Sequence, residues 1–120
     1  MFPVKVENDL VIIYPESHQV EHADVVETLT FLADNASDYQ NKKLLILDPG
    51  SDYNPSPEAL QHFIYLIKLL LGNPFSQIAL VVSKDLHYGL GRMTEGQTEI
   101  ENGQFCVFKN EDDARDWLSA

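Results

Sequence analysis

Two stretches of this chain, Leu44-Leu45-Ile46-Leu47 and Ile78-Ala79-Leu80-Val81-Val82, are apolar at every position. A strand with one wet face alternates between apolar and polar residues. A strand with no polar face must be covered on both sides, the condition met by central strands of a parallel sheet. Parallel neighbours need crossover connections, usually helical, so these two runs demand helices packed on the sheet.

The remaining segments supply them. Val4 to Val6 and Leu10 to Tyr14 are short β-rich runs joined through Glu7-Asn8-Asp9, a hairpin, and Pro15 ends the second. The spacing predicts a helix over 21–37, with Val25, Val26, Leu29, Leu32, Ala33 and Ala36 on one stripe and Phe31 off it. Strand Lys43 to Asp48 leads through a loop to Ser56-Pro57, a natural N-cap and first-turn pair. The helix they start runs to about Leu71, where Gly72-Asn73-Pro74 stops it. It is apolar nearly all round: Leu60, Phe63, Ile64, Ile67, Leu70 and Leu71 form the main stripe, with Tyr65 and Leu69 opposite. Such a helix is covered twice; the second cover is another helix of the same chain or another subunit, and the latter gives an expected homodimer with Tyr65 and Leu69 at its face. After strand 77–83, Leu86, Leu90, Met93 and Ile100 suggest a third helix. Its Gly89, Gly91 and Gly96 imply close backbone packing or a segment that moves. Strand 104–109 and a helix capped by Asn110, with Glu111, Asp112 and Asp113 in its first turn, complete the chain. The expected fold is one α/β domain over 1–120: a mixed, mostly parallel sheet of about five strands with about four helices.

Charge narrows the function. Nineteen acids against eight bases give a net charge of −11, which repels phosphate backbones and anionic membrane surfaces and argues against a nucleic-acid role. No apolar stretch is long enough for stable membrane insertion. The segment Met1 to Glu7 lacks a basic region followed by an apolar run, so the expected location is cytoplasmic. The single Cys106, in Phe105-Cys106-Val107-Phe108, allows no internal disulfide and reads as a small buried hydrophobe.

A ligand or partner of a parallel sheet sits at the carboxyl ends of its strands. Here those ends carry Glu16, His18, Asp48, Asp52, Tyr53, Ser56, Ser83, Lys84 and His87. No motif among them specifies chemistry. His18 and His22 have the spacing of a helical metal pair but lack the glutamate of a zinc-protease motif. Asp52-Tyr53-Asn54-Pro55-Ser56 opens like a calcium loop, yet Pro57 and Phe63 occupy its glycine and glutamate positions. Gly89-Leu90-Gly91 lacks the third glycine of a dinucleotide fingerprint. A triad of Ser56, Asp48 and a histidine has no specificity without geometry. No metal, cofactor or catalytic residue is expected.

The stretch Ile78 to Asp85, then Tyr88-Gly89-Leu90-Gly91-Arg92-Met93, and the ending Phe105 to Leu118 with its Ala114-Arg115-Asp116-Trp117-Leu118, resemble the SpoIIAA-like proteins. These small bacterial proteins have a STAS-type fold, that of anti-sigma-factor antagonists, and are structurally akin to CRAL-TRIO lipid-binding domains. The resemblance places Ser56 near the serine at which such antagonists are phosphorylated. Asn54-Pro55-Ser56-Pro57-Glu58 does not reproduce the surrounding segment, and no glycine comes after it.

The resemblance, the acidic surface and the missing catalytic motif together imply a non-enzymatic regulatory module. Its partner rim would be Asp48, Asp52, Tyr53, Ser56, Ser83, Lys84 and His87, with Ser56 as phosphoacceptor. The CRAL-TRIO kinship and the apolar second helix imply an alternative, a carrier or sensor of a small apolar ligand. An enzyme using Asp48, Lys84 or His87 is the third reading.

Overall fold

The computed structural model describes residues 1–98 and 103–120. Its frame is one five-stranded sheet in the order β1-β2-β3-β4-β5. The strands are β1 (Val4–Glu7), β2 (Leu10–Ile13), β3 (Lys43–Asp48), β4 (Gln77–Val82) and β5 (Gln104–Phe108). The β1–β2 pair is an antiparallel hairpin, and every later pairing is parallel. Asn8 turns the hairpin with a positive φ of 54°, a conformation asparagine tolerates better than most residues.

The helices are α1 (His22–Asp34), α2 (Pro57–Leu70), α3 (Asp85–Gln97) and α4 (Glu111–Ser119), with a 3-10 turn at Ala36–Tyr39. The helix expected over 21–37 is thus two pieces. Asn35 breaks it, and its amide side chain donates back to the Phe31 carbonyl, the local competition that disfavours asparagine inside helices. Phe31 is half-buried at the margin of the main core.

The two apolar strands are covered on both faces. On one, α1 and α2 close over Val11, Ile13, Leu44, Ile46, Ile78 and Phe105. On the other, α4 sets Ala114 and Leu118 on Ile12, Leu45 and Ala79. Because α4 has only nine residues, Leu47, Val81 and Phe108 beside it stay half-buried. Asn110 caps α4 by accepting from the amides of Asp112 (2.7 Å) and Asp113 (3.2 Å).

The third helix corrects the sequence reading. Of its expected apolar stripe only Leu90 turns inward, half-buried: Leu86 and Met93 are about half exposed, and Ile100 lies outside the described residues. The buried side chains are His87 and Thr94, with Gly91 between them. The reason is contact distance. A Cβ on Gly91 would lie 2.5 Å from Val107 Cγ2 on β5, while one on Gly89 or Gly96 would meet nothing. The helix therefore turns its smallest face to the edge strand. Glu95 closes that edge, accepting from the Val107 amide at 2.7 Å, a bond that satisfies an edge-strand N–H otherwise free for another chain.

Gly91→Ala is expected to lower stability by about 1–3 kcal/mol through overpacking, and Val107→Ala in the same chain to recover part of the loss. Gly89→Ala and Gly96→Ala, at open helical positions, are expected to raise stability by about 0.5–1 kcal/mol each. Urea unfolding of the four variants checks the ranking.

Candidate functional site

The site is built on the turn that ends β3. Asp48 is the last residue of the strand, and its carboxylate organises the loop beyond it. Oδ1 accepts from the amides of Gly50 (3.1 Å) and Ser51 (2.8 Å), and Oδ2 accepts from Ser51 Oγ (2.8 Å). An aspartate that caps its own downstream backbone is a standard turn device. Gly50 is required in this turn: its φ is +114°, and an added Cβ would stand 3.0 Å from Ser83 Oγ. Lys84, at the N-cap of α3, donates from Nζ to the Ser51 carbonyl at 2.7 Å. The turn after β3 is thereby tied to the end of β4.

His87 lies in the first turn of α3 and is buried, with 4% of its surface exposed. Its Nε2 lies 2.7 Å from the Tyr53 carbonyl. Its Nδ1 lies 3.6 Å from Asp48 Oδ2, within reach of an ion pair but too far for a hydrogen bond. Nδ1 is buried without a hydrogen-bond partner.

The loop continues outward to β2 and α1. Asp52 accepts from the Val20 amide at 2.9 Å, and its own amide donates to the His18 carbonyl at 2.7 Å. Tyr53 Oη lies 2.8 Å from His22 Nδ1, and the two rings stack at 6.2 Å between centroids. Burial pushes the Tyr53 hydroxyl up to about 12. Burial, then the neighbouring His62, lowers the pKa of His22. His18 precedes α1, so the two histidines do not share a helical face.

Below these polar groups lies a partly enclosed apolar cavity of about 80 Å³. It sits over the carboxyl ends of β2, β3 and β4 and beneath α1, α2 and α3. Ile13, Ile46, Leu60, Val82 and Leu90 form part of its wall, and Asp48, Tyr53 and His87 belong to its lining. Phe2 reaches it because its amide donates to Thr28 Oγ1 of α1 at 2.8 Å.

The sequence-predicted rim is therefore divided. Asp48, Tyr53 and His87 line the cavity, Lys84 braces the turn beside it, and Ser83 packs under Gly50. Asp52 is spent on the β2–α1 loop. Ser56 is an exposed N-cap that accepts from the Ala59 amide at 3.1 Å. The serine on Asp48 is Ser51, which sequence reasoning missed. The signal was the Asp-Pro-Gly-Ser run directly after a buried strand. Ser51 and His87 both approach the carboxylate, so no histidine stands between acid and serine as nucleophile activation requires. Tyr65 and Leu69 are exposed at 60% and 49%, one turn apart on α2. Cys106 is half-buried rather than buried, and desolvation pushes its thiol up to about 11.

The geometry is that of an α/β module with a cavity at the carboxyl edge of its sheet. The same architecture occurs in the crystal structure of an uncharacterized protein of the DUF3478 family with a SpoIIAA-like fold from Shewanella loihica PV-4. The two agree with a TM-score of 0.64 over 98% of this chain and 92% of that one, at 20% identity. This chain has the SpoIIAA-like fold. No family model matches the sequence, and no curated protein does. Among the described residues, no helix is long and apolar enough to cross a membrane.

The lowered His22 gives a pH dependence with a definite sign. Above the ordinary histidine value of 6.5, the ring is neutral in both folded and unfolded chains. As pH falls through 6.5 toward the lower folded value, the unfolded chain takes up the proton first, and stability is lost. His22→Phe is expected to flatten that slope in urea titrations. Identical slopes in variant and parent would show that His22 does not carry it.

Proposed function

We propose that this protein is a non-enzymatic carrier or sensor of a small, largely apolar ligand. One observation carries the reading: the cavity over the carboxyl ends of β2, β3 and β4, the place where open parallel sheets bind ligands. The surface its walls present is almost wholly apolar, and predominantly hydrophobic lining is usual in small-molecule sites. Among the described residues, nothing beside it is arranged as a nucleophile with its base.

The cavity is about 80 Å³, roughly half the volume of an engineered cavity that holds benzene. A molecule smaller than benzene fits without movement of the walls. Native mass spectrometry of protein from its own host is expected to show an added small mass that leaves on collisional activation. Leu60→Phe, which fills the cavity from α2, is expected to lose it. A bare chain in the parent, with no small apolar compound raising its melting temperature, would end this reading.

The exposed Ser56 at the N-terminus of α2 favours a second reading, a phosphorylation-controlled protein-interaction module with a basic partner to match the net charge of −11. A phosphate there faces the helix N-terminus, which favours negative charge. The same spectrum tests it: the mass of one covalent phosphate on Ser56 supports it, and a serine that stays unmodified across growth conditions in the host removes it. Exposed Tyr65 and Leu69 support a homodimer through α2. Sedimentation equilibrium is expected to give a dimer that Tyr65→Glu dissociates, and a parent monomer at high concentration would exclude it.

A further inference from the structure

We infer that Phe2 is a displaceable plug of the cavity, and that the ligand is an apolar group about the size of a phenyl ring that takes its place. The inference rests on the binding reading above and names both the ligand class and the part that moves.

The space of about 80 Å³ falls short of a cavity that holds benzene, so a larger ligand needs a wall to give way. Most of the lining belongs to the sheet and to the helices over it. Tyr53 lies in a loop but is fixed at three points, through its amide to Ser51 Oγ, its carbonyl to His87 and its hydroxyl to His22. Phe2 is different. It lines the cavity, is half-buried against the main core, and precedes the first ladder pair, Val4 with Ile13. The segment Met1 to Pro3 can therefore swing about the start of β1 without moving any strand or helix.

Two kinds of polar tether hold that segment. The Phe2 amide donates to Thr28 Oγ1 at 2.8 Å. The Met1 ammonium lies 2.9 Å from the Glu27 carboxylate and 3.8 Å from that of Asp24, surface ion pairs of a kind that contribute little. Pro3 has no N–H to add. Release leaves no buried donor unpaired: Thr28 Oγ1 keeps its bond to the Asp24 carbonyl at 2.8 Å, and the Phe2 amide passes to water. The Phe2 side chain ends in a benzene ring, so its exit leaves a hole that a ring of that size fills. An apolar occupant restores the contacts the ring gives up. The almost wholly apolar surface of the cavity offers no partner to a charged group.

The probes are xenon and benzene. They are read by NMR of the Leu60 and Val82 methyls and, with para-fluorophenylalanine placed at position 2 alone, by the fluorine signal of that ring. Xenon, a single atom, is expected to bind the parent while Phe2 stays in place. Benzene is expected to bind the parent saturably and to move the fluorine signal toward its value in the unfolded chain. Phe2→Ala is expected to bind benzene about tenfold more tightly, because no half-buried ring has to be given up. If that variant does not fold, the fluorine signal in the parent decides alone. Equal or weaker benzene affinity in the variant, benzene bound with Phe2 still in place, or benzene bound by the variant only or by neither chain overturns the plug, while xenon binding keeps the cavity reading. Binding of neither probe to either chain overturns the cavity reading, and the plug with it.

Discussion

The structure depends on keeping the central pair, β3 and β4, dry on both faces. Their ladder runs from Leu44–Ile78 to Asp48–Val82, and most of the side chains along it are apolar. Burying an aliphatic side chain of this size contributes about 1.5–3 kcal/mol, so any arrangement that wets one face is heavily penalised. Two helices on one face and a short one on the other meet the demand. The crossovers that contain α1, α2 and α3 impose the parallel order. The uneven cover also decides where space is left, because α3 leans outward onto β5 instead of sitting squarely over β4.

Asp48 converts that architecture into a site. It is the point where the buried strand emerges, and its carboxylate folds the next three residues back on themselves. The turn carries Tyr53 inward, where its carbonyl orients His87 and its hydroxyl meets His22. One side chain at a strand end thereby positions groups from three elements, and the rigidity comes from hydrogen bonds within the turn rather than from charge pairing. Lys84 adds a brace from the neighbouring strand end.

Much of the fold is legible in the chain because apolar periodicity and capping act over short distances. The apolar runs Leu44 to Leu47 and Ile78 to Val82, the Ser56-Pro57 helix start and the Asn110 cap all lie where the chain predicts them. The third helix misleads on its buried side, since Leu86 and Met93 outweigh Gly91 in any hydrophobic count. What places Gly91 inward is Val107, sixteen positions away and on another element. Of the rim, Asp48, Tyr53 and His87 converge, while Asp52 is consumed by a bond from the Val20 amide of the β2–α1 loop and Ser56 by the cap of its own helix. Ser51 is marked in the sequence only by the turn-forming Asp-Pro-Gly-Ser run, because its contact with Asp48 exists only once the turn has folded.

The sequence by itself determined a mixed α/β sheet and its order of elements, because those depend on which residues avoid water and on local backbone preference. Tertiary structure alone decided that His87 is buried with an unpartnered nitrogen beside an apolar cavity. That arrangement is a sum of contacts among β2, β3, β4 and the helices over them. Distances of about two to four ångströms between groups far apart in the chain, the range of hydrogen bonds and van der Waals contact, leave no trace in its local pattern.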